Sequence, residues 1–120
     1  MIDSLEDLVQ LNEIWNRDYA NIKRCEEAAC KKPRLAYLFA RDVKGADIEK
    51  CEKAACKDPK YAYWFARYVK GADIKRCEKA ACKDPEYAYY FAMDIKGADI
   101  EKCRKGAASD KCWAEKFAKW

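Results

Sequence analysis

The stretch CEKAACKDPKYAYWFARYVKGADI, residues Cys51–Ile74, returns almost unchanged as CEKAACKDPEYAYYFAMDIKGADI, residues Cys77–Ile100. Aligned with itself, the chain of 120 residues divides into four units with a period of 26, residues 21–45, 46–71, 72–97 and 98–120. Residues 1–20 do not match these units. Fixed periods of about 20 to 50 residues are typical of solenoids and other repeat arrays. We therefore expect one repeat domain that spans residues 1–120.

Each unit carries the signals for two short helices. The glycine of GADI suits the left-handed position that ends a helix, and the aspartate that follows suits the N-cap of the next helix. In KDP, the aspartate suits an N-cap and the proline suits the first helical position, where a missing N–H costs nothing. The second unit is thus predicted to hold a helix A from about Ile48 to Lys57 and a helix B from about Pro59 to Lys70. Neither is long enough to be stable alone in water, so neighbouring units must pack on each other.

Apolar spacing predicts the buried face of helix B and the ends of the array. The predicted core stripe of helix B consists of Ala62, Phe65, Ala66 and Val69, flanked by Tyr61 and Tyr63. Residues 1–20 are expected to form a capping helix over about Ser4–Asn16, opened by the capping-box-like SLED. The fourth unit has Gly106 inside helix A and Lys111 in place of proline, and terminal repeats of solenoids are commonly atypical. The prediction is an all-α protein, a right-handed or superhelical α-solenoid of stacked two-helix repeats with about nine helices.

This pattern resembles the α-helical hairpin solenoids, the class that includes tetratricopeptide and HEAT repeats, although the unit is shorter than theirs and lacks their signatures. The phrase YAYxFAxxVKGADI is also similar to tandem repeats in uncharacterised phage and bacterial proteins. The resemblance covers residues 20–120 and implies a fold but no activity. An engineered scaffold is the alternative reading of such closely matching repeats.

Composition excludes several classes of function. A hydrophobic fraction of 51% is ample for a core, and a net charge of +4 is far from the basic face of a dedicated nucleic-acid binder. No apolar run approaches the length of a secretory or membrane-spanning segment, so we expect a cytoplasmic protein with no membrane partner. The chain has no histidine, no phosphate-binding glycine loop and no GxSxG motif. We therefore expect no enzymatic activity, no catalytic residues and no cofactor.

Charged residues recur in three rows. Glu26, Glu52 and Glu78 hold one position of helix A between apolar neighbours. We expect each to bond a tyrosine hydroxyl or a lysine of the next repeat, with acid–base chemistry as the alternative. Two rows of lysine lie near predicted helix C-termini, where the helix dipole favours positive charge, and phosphate contact is the alternative. These rows are Lys31, Lys57 and Lys83, and Lys44, Lys70 and Lys96.

Seven of the eight cysteines occupy two recurring positions of helix A, five residues apart. Positions five apart differ by about 140° around a helix, so the two thiols cannot share a ligand and point toward the preceding and following A helices. The fourth unit keeps Cys103 but has Ala108 at the second position, as expected if the second cysteine serves only a following repeat. The predicted disulfides are Cys30–Cys51, Cys56–Cys77 and Cys82–Cys103, with Cys25 and Cys112 left over.

Two other roles for the cysteines stay open. Free cysteine is among the most buried residue types, so packed, reduced thiols are an equal alternative. Metal binding is less favoured because the chain has no CxxC spacing and no histidine, which leaves a thiol-lined copper store as the one metal hypothesis. Disulfides, if formed, would indicate an oxidising compartment or an engineered origin.

The repeats differ mainly on one face of helix B. In the second unit the variable positions follow i, i+4, i+7 and i+8, which is one helical face opposite the core stripe. Large apolar groups beside arginine are typical of interface hot spots, so we expect non-enzymatic binding of another protein, for example by a phage-encoded inhibitor or adaptor. Nucleic acid is the less favoured partner, and ordinary surface exposure of a few aromatics is the alternative. The predicted binding residues, expected to have no part in packing, are Leu38, Arg41, Trp64, Arg67, Tyr68, Tyr90 and Met93.

Overall fold

The structure, a computed structural model, describes residues 22–119, with side chains from Glu26 onward. Over this range the chain forms eight α-helices and no strand. They are α1 (Ile22–Ala29), α2 (Pro33–Asp42), α3 (Ile48–Ala55), α4 (Pro59–Tyr68), α5 (Ile74–Ala81), α6 (Pro85–Asp94), α7 (Ile100–Ala107) and α8 (Lys111–Ala118). Odd-numbered helices are the A helices of the four repeats and even-numbered helices are the B helices. The capping helix predicted for Ser4–Asn16 lies outside the described residues.

The predicted caps and helix stops begin and end these helices. Asp73 accepts a hydrogen bond from the Arg76 N–H at 3.2 Å at the start of α5, and Asp58 accepts one from the Lys60 N–H at 2.9 Å at the start of α4. The glycine of GADI, for example Gly71 with φ 85°, takes the left-handed conformation that L side chains rarely adopt. Aspartate caps therefore begin α3 to α8, whereas α2 begins at Pro33 after Lys32, whose side chain makes no cap bond.

The helices end slightly earlier than the sequence predicts. Helix α3 ends at Ala55 rather than near Lys57, because the chain turns there toward the N-cap of α4. Helix α4 ends at Tyr68, since Val69 has an extended backbone with φ −99° and ψ 121°. The Val69 N–H still donates to the Phe65 carbonyl at 3.0 Å. Its side chain is only 6% exposed, so this β-branched residue closes the core instead of continuing the helix.

The helices pack as a solenoid of hairpins. Each of α2, α4 and α6 packs against the A helix of its own repeat, against the next A helix, and against the next B helix. The B helices of the first three repeats each bury one phenylalanine completely at the same register, Phe39, Phe65 and Phe91. Burying one such side chain contributes about 1.5–3 kcal/mol. Fully buried alanines, such as Ala55 and Ala62, let the helices approach closely around these rings.

The stack is elongated, with principal dimensions of 49 × 27 × 17 Å. Among the described helices, none combines the length and the apolar character that a membrane crossing requires. One edge of the stack is formed by A helices and the other by B helices, and these two edges hold the two candidate sites.

Candidate functional site

The first candidate site is a small aromatic pocket on the B helices of the first two repeats. It has a volume of about 250 Å³ and is lined by Tyr37, Arg41, Trp64 and Tyr68. The rings of Trp64 and Tyr68, one helical turn apart on α4, stack with centroids 5.4 Å apart and an interplanar angle of 14°. The Arg41 guanidinium lies 5.5 Å from the centroid of the Tyr37 ring on the opposite wall. Three of the four lining residues belong to the predicted binding set, and Tyr37 was not in that set.

The predicted binding residues differ widely in exposure. Tyr68 and Met93 are each 47% exposed, so the B helices do present large apolar groups to solvent. Leu38, in contrast, is 2% exposed and belongs to the hydrophobic core, so its expected place on the surface is wrong. Trp64 and Tyr90, at the same helix position in the next two repeats, are only partly buried.

Trp64 and Tyr90 pack into the fold, contrary to the expectation that they have no structural duty. The Tyr63 ring lies 5.4 Å from Trp64 and 6.1 Å from Tyr90, centroid to centroid, and Tyr90 lies 5.5 Å from Trp113 of the last repeat. Aromatic pairs at such separations stabilise a fold beyond the area they bury. The Trp64 Nε1–H is buried and has no hydrogen-bond partner among residues 22–119. The solvent-exposed part of the predicted binding surface is therefore smaller than expected and consists mainly of Tyr68, Met93, Arg41 and Arg67.

Each arginine of this surface is held by a carboxylate and a tyrosine. Arg41 donates to both carboxylate oxygens of Asp42, at 2.8 and 2.7 Å. Arg67 donates to the Tyr63 hydroxyl at 2.7 Å, and that hydroxyl donates to Asp94 of the next repeat. Burial, together with the hydrogen bond to Asp94, raises the pKa of Tyr63 to about 12. The side chain of Arg67 remains 39% exposed, so it is oriented by these bonds and still open to a partner.

The recurring glutamates have a role that the sequence prediction missed. Glu26, Glu52 and Glu78 are 4%, 1% and 3% exposed. Each accepts a hydrogen bond from the main-chain N–H of the aspartate that caps the next A helix, at 2.6–2.7 Å; for Glu52 this is Asp73. The recurring bond is therefore to the main chain of the next repeat and not to the expected tyrosine or lysine, because the carboxylate reaches the start of the next helix, where N–H groups lack partners.

Glu52 also contacts a guanidinium and a thiol of the next repeat. Arg76 donates to its second oxygen at 3.2 Å, and the Cys77 thiol lies 3.9 Å away. Burial raises the pKa of Glu52, and the Asp73 N–H and Arg76 lower it in part. We call this contact, from a buried glutamate to the start of the next A helix, the joint between repeats. The sequence signal that could have revealed the joint is Arg104, which occupies the glutamate position in the fourth repeat. The fourth repeat thus lacks both residues, glutamate and second cysteine, that contact a following repeat in the others.

The second candidate site is a ladder of paired thiols along the A helices. The predicted partners lie in contact, with Sγ–Sγ distances of 3.8, 3.9 and 3.7 Å for Cys30–Cys51, Cys56–Cys77 and Cys82–Cys103. All six are free thiols in this structure, so the disulfides stay a prediction. In each pair the first cysteine is half-buried and the second is fully buried. Cys112 is exposed on α8, and the side chain of Cys25 lies outside the described residues.

Within the part of the chain that the structure describes, no three cysteine, aspartate or glutamate side chains converge as metal ligands would. The fold and these two sites define an all-helical repeat protein with an aromatic surface and a thiol ladder. Comparison with known protein families, curated proteins and solved structures finds no match to this chain.

Proposed function

We propose that this chain is a non-enzymatic binding protein whose B-helix surface captures a segment of another protein. The observation that carries the proposal is the pocket beside Tyr68, a ring that is 47% exposed yet held in place by stacking on Trp64. Rigid aromatic rings flanked by arginine are typical of residues that dominate protein interfaces. The pocket suits a partner segment that presents an apolar side chain next to an acidic one.

The charges of this surface favour a protein partner over a nucleic acid. Asp42 and Asp94 lie against Arg41 and Arg67, so each guanidinium already has a carboxylate beside it. A phosphate backbone would be repelled by these carboxylates, whereas a single acidic side chain can approach the exposed part of one guanidinium. An inhibitor or an adaptor is the form of this binding that the resemblance of the YAYxFAxxVKGADI phrase to phage and bacterial repeats implies.

Site-specific photo-cross-linking in the native cell tests the proposal. A photoreactive phenylalanine analogue replaces Tyr68 or Met93 on the B surface, and as a control it replaces Lys53, which is exposed on the A helix α3. We expect the same partner protein to be joined to positions 68 and 93 and not to position 53. Adducts formed only at position 53 would place the binding site on the A helices. Adducts to a second copy of this chain would show that the B surface mediates self-association and not the capture of another protein.

The purified partner then gives the affinity. We expect Tyr68→Ala to weaken binding about thirtyfold or more, since truncating a hot-spot residue costs about 2 kcal/mol or more. Because Tyr68 is 47% exposed and the Lys53 side chain is 66% exposed, neither substitution should alter the fold, and Lys53→Ala should leave the dissociation constant unchanged. Equal affinity for both variants would refute the role of the pocket.

A further inference from the structure

The third thiol pair opens into a basic groove that the aromatic surface does not use. This groove lies between α5 and α7 and has a volume of about 820 Å³, which is large enough for a small organic ligand. Cys82 lines it together with five basic side chains, Lys75, Arg76, Lys79, Lys102 and Lys105. Among its lining residues the single carboxylate is that of Glu78, which is buried and bonded to the Asp99 N–H at 2.6 Å. A half-buried thiol thus faces a strongly positive space.

We propose that Cys82 and Cys103 form a thiol–disulfide exchange site for an anionic low-molecular-weight disulfide of the glutathione class. Cys82 reacts first with the incoming disulfide, and Cys103 then closes a bridge between the third and fourth repeats. The carboxylates of such a disulfide match the lysines of the groove in charge, and its size matches the volume.

The order of reaction follows from burial and from the contact between the two thiols. Cys103 is 0% exposed, so an external disulfide cannot reach its sulfur, whereas Cys82 lines the groove. The hydrogen bond between the two thiols lowers the pKa of Cys82, against the opposing effect of burial. That same hydrogen bond, together with burial, raises the pKa of Cys103. Cys82 is therefore the better nucleophile as well as the more accessible one.

The two steps balance in atoms and electrons. In the first step the Cys82 thiolate attacks one sulfur of the small disulfide, that disulfide bond breaks, and one small thiolate leaves with the bonding electrons. In the second step Cys103 gives up its proton and attacks the Cys82 sulfur of the mixed disulfide, which releases the second small thiolate. The protein loses two electrons and two protons, and the small disulfide takes them up as two thiols.

The helices already approach closely enough for the bridge to form. The two sulfurs lie 3.7 Å apart, and they must close to about 2.05 Å in a disulfide. A Cβ built on Gly106 of α7 would lie only 2.6 Å from the Cys82 carbonyl oxygen, so the backbones of α5 and α7 are in contact at this point. A thiol held against the mixed disulfide in this way acts at a high effective concentration.

The preceding repeat offers an internal comparison. Around the Cys56–Cys77 pair, the repeat register places Glu49 where the third pair has Lys75. Restoring that glutamate in the third repeat makes the variant Lys75→Glu, which lowers the positive charge of the groove without touching either thiol. Lys44→Glu is the matched control, because it makes the same charge reversal on an exposed residue two repeats away.

The test follows the reduced full-length protein in glutathione disulfide, without oxygen, by intact mass and pair-resolved peptide mapping. We expect a Cys82–Cys103 bridge in the wild type and a stable glutathione adduct on Cys82 in Cys103→Ser, whose fold is checked by circular dichroism. Lys75→Glu should slow the reaction at Cys82 about threefold to tenfold at low salt, and Lys44→Glu should not. The rate with the neutral disulfide of mercaptoethanol should be the same in both variants.

Three results would overturn the proposal. If the wild type keeps a glutathione adduct on Cys82 and forms no Cys82–Cys103 bridge, Cys103 does not act as the second thiol. A Cys103→Ser protein that gains no adduct on Cys82 would remove the entry point. Equal effects of Lys75→Glu on the anionic and neutral disulfides would show that the groove does not select its reactant by charge. Each of these measurements is independent of the aromatic surface, so it leaves the proposed protein binding untouched.

Discussion

Replacing Glu52 by alanine tests the joint between repeats most directly. The carboxylate is 1% exposed and accepts a hydrogen bond from the Asp73 N–H at 2.7 Å and one from Arg76 at 3.2 Å. Glu49 is the matched control, because its carboxylate also lies near Arg76, at 3.9 Å, but is 67% exposed. The two substitutions remove the same chemical group from the same helix and differ in burial.

The expected cost can be worked out from these contacts. In Glu52→Ala the Asp73 N–H loses a charged acceptor, and a hydrogen bond to a charged group contributes about 1.5–3 kcal/mol. Arg76 is 37% exposed and can turn to water, so its lost ion pair adds little. With the lost packing of the buried side chain, we expect Glu52→Ala to lower the free energy of unfolding by about 2–3 kcal/mol. Glu49→Ala should change it by less than about 0.5 kcal/mol.

Urea denaturation followed by far-ultraviolet circular dichroism measures both variants against the wild type. At about 4 °C per kcal/mol for a domain of this size, the melting temperature of Glu52→Ala should fall by about 10 °C. A Glu52→Ala protein as stable as Glu49→Ala would show that the glutamate–amide bond does not hold the repeats together. The burial of Glu52 would then need another explanation.

Gly106→Ala should lower the free energy of unfolding by about 1–2 kcal/mol in the same assay, because the added Cβ would lie 2.6 Å from the Cys82 carbonyl oxygen. This cost should exceed the gain from the better helix propensity of alanine. An equal or higher denaturation midpoint would contradict this close approach. Trp64→Ala should lower the free energy of unfolding by about 2–3 kcal/mol, since the ring is largely packed, and Tyr68→Ala by less than about 0.5 kcal/mol, since that ring is 47% exposed. Similar melting temperatures for the two variants would refute this difference in packing. Because burial raises the pKa of Glu52, the wild type loses stability as the pH rises from below its ordinary value of 4.5 through the higher folded-state value. The Glu52→Gln variant lacks this loss, so its stability deficit relative to the wild type should shrink as the pH rises across that window; a deficit that stays constant in denaturation curves taken across the range would show that the pKa of Glu52 is unshifted.

The helical framework could be predicted from the sequence because local stereochemistry determines it. An aspartate such as Asp58 caps a helix with its own side chain, and a glycine such as Gly71 takes a backbone conformation that few other residues tolerate. The register of the thiol pairs was also accessible, since Ala108 showed which cysteine faces the following repeat. These signals depend on neighbours in the chain or on comparison of one repeat with another.

The joint and the surface were harder to predict because they depend on groups that a sequence does not display. The partner of Glu52 is a main-chain N–H, which every residue but proline carries, so Arg104 can show that this position faces a following repeat but not which group it bonds. Leu38 occupies the same helix position as Trp64 and Tyr90, and its deeper burial depends on how the first repeat packs. The groove at Cys82 forms only where two helices meet in the folded chain. Its positive charge was partly visible in the sequence, because the third repeat has Lys75 at the position where the second has Glu49.

The bond from each buried glutamate to the main chain of the next repeat also bears on how such a protein can evolve. The bond common to all three glutamates is to a main-chain N–H, so that bond sets no condition on which side chains the next repeat carries. A tandem duplication of one unit in the gene would therefore produce a copy that docks on its neighbour without compensating substitutions. The array can lengthen or shorten in a single genetic step, while the exposed positions of each copy, such as Arg67 and Met93, diverge independently.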